Sequence, residues 1–137
     1  MTSPRPGADP PAARFSTAEL DYLLGEPRLG RLATIDPSGQ PHVVPLGWSY
    51  NPELGTIDIS GRCFAGTRKF RNVEANPKVA FLVDDVAPPW QPRSVMVQGC
   101  AQALDAHHAG STEAMIRITP EKIVSWGLDA APPPHPD

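Results

Sequence analysis

The chain has 137 residues, room for one domain of ordinary size, so all its chemistry must fit a single core. Its net charge of −3 and pI near 5.7 argue against a general nucleic-acid or membrane-surface binder, because both need a large positive field. No apolar run approaches the roughly 18 residues of a membrane span and no signal-peptide core opens the chain, so the expected location is cytoplasmic.

Hydrophobic residues make up 40% of the sequence and charged residues 20%, which is globular usage, but 18 prolines are too many. Eight of them lie in Met1–Ala13 and Ala130–Asp137. Residues 1–14 and 129–137 therefore read as disordered tails around one folded unit, residues 15–128. Ser16 and Glu19 form an S-x-x-E capping box, with Phe15 and Leu20 placed as its hydrophobic staple. Gly25 and Pro27 end the helix that follows, over about residues 17–24. The hydrophobic period then changes to two, predicting strands at Leu29–Ile35, His42–Tyr50, Gly55–Ser60, Lys78–Asp84, Arg93–Ala103 and Ala114–Thr119. Asp36-Pro37-Ser38-Gly39 and Asn51-Pro52-Glu53-Leu54-Gly55 read as hairpin turns between the first three. Thr67 caps a second short helix reaching about Ala75, which Asn76-Pro77 ends. Short antiparallel strands with few helices must close or stack to hide their edges, which favours a small barrel. The segment Ala87–Pro92 reads as an extended connector, whose Trp90 anchors either on a neighbouring subunit or within the chain.

The most informative stretch is Arg62–Asn72, which holds four cations and no acid in an acidic protein. Arg68, Lys69 and Arg71 fall near the start of the predicted helix, where the macrodipole disfavours positive charge by about 0.3–1 kcal/mol per group. A phosphate would resolve that conflict by accepting the free helix N–H groups, the Thr67 hydroxyl and charge-assisted bonds together. The alternative is a solvated basic face. In the second strand, His42, Val44, Leu46, Trp48 and Tyr50 form a bulky face, and Val43, Pro45, Gly47 and Ser49 a small one against which a flat ligand can lie. Pro45 marks either an edge strand or a close ligand approach. In the third, Ile57 and Ile59 point inward while Ser60 and Arg62 share the opposite side.

Cys63 and Cys100 are far apart, without CxxC or Cys/His spacing, and read as structural. His107 and His108 are adjacent and His135 lies in a tail, so no metal site is assigned. There is no serine elbow, P-loop or GxGxxG. A phosphate site without an evident acid–base group suggests that a bound cofactor performs the hard step, which favours redox chemistry.

Leu29-Gly30-Arg31-Leu32-Ala33-Thr34-Ile35, Pro41-His42-Val43-Val44-Pro45, Thr67-Arg68-Lys69-Phe70-Arg71-Asn72 and Asn76-Pro77-Lys78-Val79-Ala80 together resemble the pyridoxamine-phosphate-oxidase-like superfamily over about residues 15–128. Within it the chain looks most like the actinobacterial branch that uses the deazaflavin coenzyme F420. Gly47-Trp48-Ser49-Tyr50-Asn51, Pro88-Pro89-Trp90 and Arg117-Ile118-Thr119-Pro120-Glu121-Lys122 point to its antibiotic-pathway reductases. The resemblance implies a mainly β, six-stranded antiparallel split β-barrel with two short helices, forming a homodimer with cofactor sites at the interface. It implies that Thr67, Arg68 and Lys69 bind the cofactor phosphate, that Ser60 and Arg62 complete the pocket, and that the backbone at Val44 and Pro45 runs along the ring system. The expected activity is hydride transfer from reduced F420 to a conjugated double bond of a small organic substrate, with no catalytic side chain assigned. Flavin mononucleotide (FMN) in the same pocket, or a non-catalytic F420- or flavin-binding protein, are the alternatives.

Overall fold

In a computed structural model, residues 13–106 and 113–128 are described. The expected tails lie outside these residues except for Ala13 and Arg14, as do His107, His108 and His135. The Ala13 N–H donates to the Pro120 carbonyl at 3.2 Å.

Helix α1 spans Thr17–Gly25, with both halves of the capping box formed: Glu19 N–H to Ser16 Oγ at 3.1 Å and Ser16 N–H to Glu19 Oε1 at 2.8 Å. Seven strands follow: β1 (Gly30–Ile35), β2 (Pro41–Leu46), β3 (Ser49–Asn51), β4 (Thr56–Ser60), β5 (Lys78–Ala87), β6 (Gln91–Leu104) and β7 (Met115–Trp126). Helix α2, Arg68–Ala75, lies between β4 and β5 behind a single 3-10 turn at Phe64–Gly66. All strand pairs are antiparallel, in the order β2-β1-β5-β6-β7-β4-β3. The sheet's two outermost strands, β2 and β3, are neighbours in the chain, separated only by Gly47 and Trp48. So short a link spans about 11 Å at most, which forces the sheet to curl until its edges approach. This is the split β-barrel.

The expected second strand is therefore two strands, because its halves serve opposite edges of the sheet. The break falls where Trp48 drops inward. Its indole packs edge-on to Phe81 with centroids 5.7 Å apart, and its N–H donates to the Arg28 carbonyl at 2.8 Å. Gly30 makes the room: a Cβ there would collide with the Phe81 ring and lie 2.9 Å from Trp48 Cδ1. Strand β7 also outruns its expected end at Thr119. Pro120 continues it because a bulge between Gln98 and Gly99 changes the register, so that Gly99 faces Pro120 and Gln98 faces Lys122.

Cross-strand partners project to the same side of a sheet. One ladder, Val44, Leu32, Phe81, Val97 and Ile123, points into the barrel, where Leu32, Phe81 and Val97 are buried with Ile57, Ile59, Ile116 and Ile118. The adjacent ladder, Pro45, Arg31, Leu82, Met96 and Val124, points outward. Helix α1 closes one side through Glu19, which accepts from Ser125 Oγ at 2.6 Å, and Tyr22, which donates to Asp85 at 3.0 Å. Cys63 and Cys100 are free and exposed: Cys100 alternates outward on β6, and Cys63 lies in a tight turn at φ 52°. Among the described residues no His/Cys/Asp/Glu group could hold a metal, and no helix is long and apolar enough to cross a membrane.

Candidate functional site: a cation cluster at the start of α2

The chain leaves β4 at Ser60, turns through Gly61-Arg62-Cys63 and enters α2 by way of Thr67. Thr67 is the N-cap, as its residue type predicts: its hydroxyl accepts from the Phe70 N–H at 3.3 Å. The same hydroxyl donates to the Phe64 carbonyl at 2.7 Å, so its proton is already committed. The N–H groups of Arg68 and Lys69 have no acceptor among the described residues. Two helix donors therefore stay open to an anion at the positive end of the helix dipole.

The segment that carries these donors, Arg62–Asn72, has four cations and no acid; two carboxylates, Asp105 and Glu113, line a pocket with its opening turn, Gly61 and Cys63–Gly66. Arg62, Arg68 and Arg71 are exposed and form no ion pair among the described residues. Lys69 is half-buried with its Nζ 5.2 Å from the Phe64 ring centroid. Phe64 in turn packs edge-on to Phe70 at 5.9 Å, giving the turn a rigid aromatic floor. Elsewhere Arg28 and Arg93 pair with Asp85, Arg31 with Asp84 and Arg117 with Asp58. The lack of counter-charge is thus a property of this segment.

Ser60 ends β4 exposed, and the carboxylate before it, Asp58, is held by both Arg117 nitrogens at 3.1 Å and so is neutralised. Val44 is half-buried on the interior ladder, and Pro45 is exposed on the outward one. The whole outward row of β2 and its link, Val43, Pro45, Gly47 and Ser49, is exposed while the alternate residues are not, which is the two-faced strand expected. Because β2 is an edge strand, Pro45 costs no ladder bond.

Two positioning contacts escaped the sequence reading. Buried Asn72 of α2 donates to Thr34 Oγ1 of β1 at 3.0 Å, fixing the helix against the strand that pairs with β2. His42, opposite Thr34 on β2, places Nε2 2.9 Å from Asp36 in the β1–β2 turn. Asp36 is held well below the usual carboxylate range, first by the Ser38 hydroxyl and then by His42.

The site can hold a phosphate at α2 and a flat group along β2. The family described as pyridoxamine 5′-phosphate oxidase matches residues 16–137. The 5a,11a-dehydrotetracycline/5a,11a-dehydrooxytetracycline reductase of Streptomyces rimosus is 43% identical over 121 residues, covering 84% of each chain. Among solved structures, a FAD-binding protein of Mesorhizobium loti aligns with a TM-score of 0.62 at 23% identity, covering 81% of this chain and 94% of that one. An F420 reductase aligns with a TM-score of 0.58 at 21% identity, covering 76% and 94%. At these identities the two structures share the fold.

Proposed function

Because this chain belongs to the pyridoxamine 5′-phosphate oxidase family, we propose that it is a cytoplasmic reductase that uses F420 to reduce a conjugated double bond of a small organic substrate. The observation that carries the reading is the cluster at α2: two helix N–H groups and the cations Arg62, Arg68 and Arg71, all without partners among the described residues, in a protein of net negative charge. These are the donors a cofactor phosphate needs. The named reductase relative, alike over most of both chains, supports reduction as the reaction class.

In this reading the Arg68 and Lys69 N–H groups and side chains hold the phosphate, and Arg62 and Ser60 close the pocket from the end of β4. Thr67 acts mainly through its cap, since its hydroxyl proton is given to Phe64. The exposed row of β2, with backbone at Val44 and Pro45 and no bulky side chain between Pro45 and Ser49 except the inward Leu46 and Trp48, offers a flat face to the ring. When bound, the reduced deazaflavin would supply a hydride to the electron-poor end of the double bond, and the neighbouring carbon would take up a proton. The chain's task is to hold the phosphate, present the ring and exclude water from it. The Tyr50 hydroxyl has no hydrogen-bond partner among the described residues and His42 is held by Asp36, but neither is assigned as the proton donor.

The second reading is FMN in the same cradle, which the phosphate donors accept equally. The homodimer belongs to the proposal too. The outward ladder of Pro45, Arg31, Leu82, Met96 and Val124 continues into Trp126 and Val86, 57% and 48% exposed, and this face, apolar but for the Arg31–Asp84 pair, suits a second copy better than water. Trp90 at the β5–β6 tip is 75% exposed, which favours a subunit contact over packing within the chain.

The test is a parallel titration of cofactor-free protein with F420 and FMN, following each cofactor's fluorescence, together with the mass in solution. Binding of F420 in the micromolar range or tighter, with FMN weaker, is expected of a dimeric F420 reductase. Preference for FMN moves the assignment to a flavoprotein, and binding of neither overturns it.

A further inference from the structure

Between α2 and β1 lies a buried polar pair whose presence packing alone does not explain. Asn72 is 3% exposed and Thr34 2%, and the Asn72 amide donates to Thr34 Oγ1 at 3.0 Å. Asparagine is a poor helix former, and a buried amide is costly unless it is bonded. An aliphatic pair of the same shape would hold the helix about as well. What the bond adds to Phe70 and Val73, the buried apolar residues of α2, is direction. Apolar contacts let a short helix slide or turn on the barrel, whereas a donor and an acceptor in line fix one setting.

The place of the bond gives that setting a use. Asn72 follows Arg68 by four positions and Lys69 by three, so it lies one helical turn, about 5.4 Å, below the two open N–H donors and on the same face. Thr34 projects into the barrel opposite His42 of β2, and one step along the same face Leu32 stands opposite Val44. Pro45 comes next, opposite Arg31. The bond therefore joins the helix turn that takes the phosphate to the strand pair that takes the ring. Among the described residues it is the one side-chain hydrogen bond between α2 and β1 or β2. The first turn of α2 has particular need of an anchor, because Arg68, Lys69 and Arg71 stand at the positive end of its dipole and repel one another until an anion arrives.

We infer that Asn72 is a positioning residue: through Thr34 it sets the span between the phosphate donors of α2 and the ring face of β2, and so selects cofactors whose ring and phosphate are separated by that one span. In this role Asn72 touches neither group. The inference rests on the cofactor reading above, since the span matters only if one ligand bridges both halves of the site.

The experiment compares each cofactor with its phosphate-free form, FMN with riboflavin and F420 with the ribityl deazaflavin that lacks the phosphate. Both pairs are titrated by fluorescence into the full chain, and urea unfolding is followed alongside. In the native protein the phosphate should tighten the preferred cofactor by about tenfold or more, the effect of at least one charge-assisted bond. Thr34→Val, equal in shape but without the acceptor, should lower the urea midpoint and reduce the phosphate advantage to about threefold or less. Adding Asn72→Leu removes both halves of the bond. The midpoint should then recover while the phosphate advantage stays lost, because an apolar pair packs without fixing the span. Thr34→Ser keeps an acceptor and should keep the advantage. If the double variant does not fold, Thr34→Val against Thr34→Ser decides alone, each read where it is folded.

The phosphate advantage returning with stability in the double variant, persisting in Thr34→Val or vanishing in Thr34→Ser overturns the inference and leaves the cofactor reading standing. Equal weakening of the phosphorylated and phosphate-free forms does the same, since it makes the bond a matter of stability only. Native protein that binds neither cofactor, or binds without a phosphate advantage, overturns the cofactor reading and the inference with it.

Discussion

Around Asp85 the protein gathers Arg28, Arg93 and the Tyr22 hydroxyl, all within 3.0 Å of one carboxylate, whereas around Thr67 it gathers Arg62, Arg68, Lys69 and Arg71 in a segment, Arg62–Asn72, that holds no acid. The first cluster joins α1, the loop after it, β5 and β6. Its charges act on each other: the Arg93 bond above all holds the Asp85 carboxyl well below the ordinary range against the opposing effect of burial. Asp85 in turn raises the Arg93 guanidinium further. Tyr22, desolvated and donating to Asp85, is pushed up to about 12. The second cluster has cations stacked at the wrong end of a helix dipole. The difference is one of purpose: the closed set contributes to the fold, and the open set holds its donors for something that arrives later.

If that contrast is right, substitutions in the two clusters separate binding from stability. The largest effect is expected for Arg68→Ala combined with Lys69→Ala. Cofactor affinity should fall by about 3–5 kcal/mol, since charge-assisted bonds contribute ~1.5–3 kcal/mol each. Stability in urea should hold or rise slightly as the dipole conflict is relieved. A loss of stability with affinity unchanged would make this cluster structural and erase the distinction.

Next is Asp85→Ala, which strands two guanidinium groups and a buried phenol. It should cost about 2–4 kcal/mol in urea unfolding and leave cofactor affinity unchanged where the protein is folded. The pH dependence follows the same carboxyl. Its folded pKa is depressed, so its contribution is complete above the unfolded value near ~4 and is lost as pH falls toward the folded one. Urea midpoints taken downward from pH 7 should therefore drop below about pH 4 in the native protein, and less steeply in Asp85→Asn.

The smallest effect sharpens the comparison with a third case, Ser94. This residue is 2% exposed and its Oγ has neither partner nor solvent. Ser94→Ala should be neutral or stabilising by up to about 1 kcal/mol in the same unfolding assay, because an unsatisfied hydroxyl is removed. A clear loss would reveal a bond that the hydroxyl makes in solution.

What could be read in the sequence was whatever depends on near neighbours. Ser16 and Glu19 cap α1, Thr67 caps α2, and the alternation of β2 and β4 sorts inward from outward residues, because each signal lies within a few positions. The cation excess at α2 was visible for the same reason. Partners drawn from across the barrel were not: nothing local tells Asp85 that Arg28 and Tyr22 will meet it, or Asn72 that Thr34 will accept its bond. The strand break at Gly47-Trp48 was hidden because an unbroken period of two runs through it. Only the closure of the sheet, with β2 and β3 on opposite edges, separates the halves. Pro120 misled for the opposite reason, since a residue that normally ends a strand is accommodated by a bulge at the next residue of its own strand, Glu121, which has no partner in the register on β6.

That two-residue link also imposes a history on the molecule. The β5–β6–β7 meander joins chain neighbours, but β1 must find β5, bringing Arg31 to Leu82, and β4 must find β7, bringing Ile57 to Ile118. Long-range pairings of this kind repay their loop-closure entropy only once made, so barrels of this topology assemble over milliseconds to seconds rather than microseconds. The seam between β2 and β3 can be set only after both distant pairings exist. Hydrogen exchange should therefore find the amides flanking Gly47 and Trp48 among the first to open, while the meander stays protected. The seam can then open without unfolding the barrel that frames it.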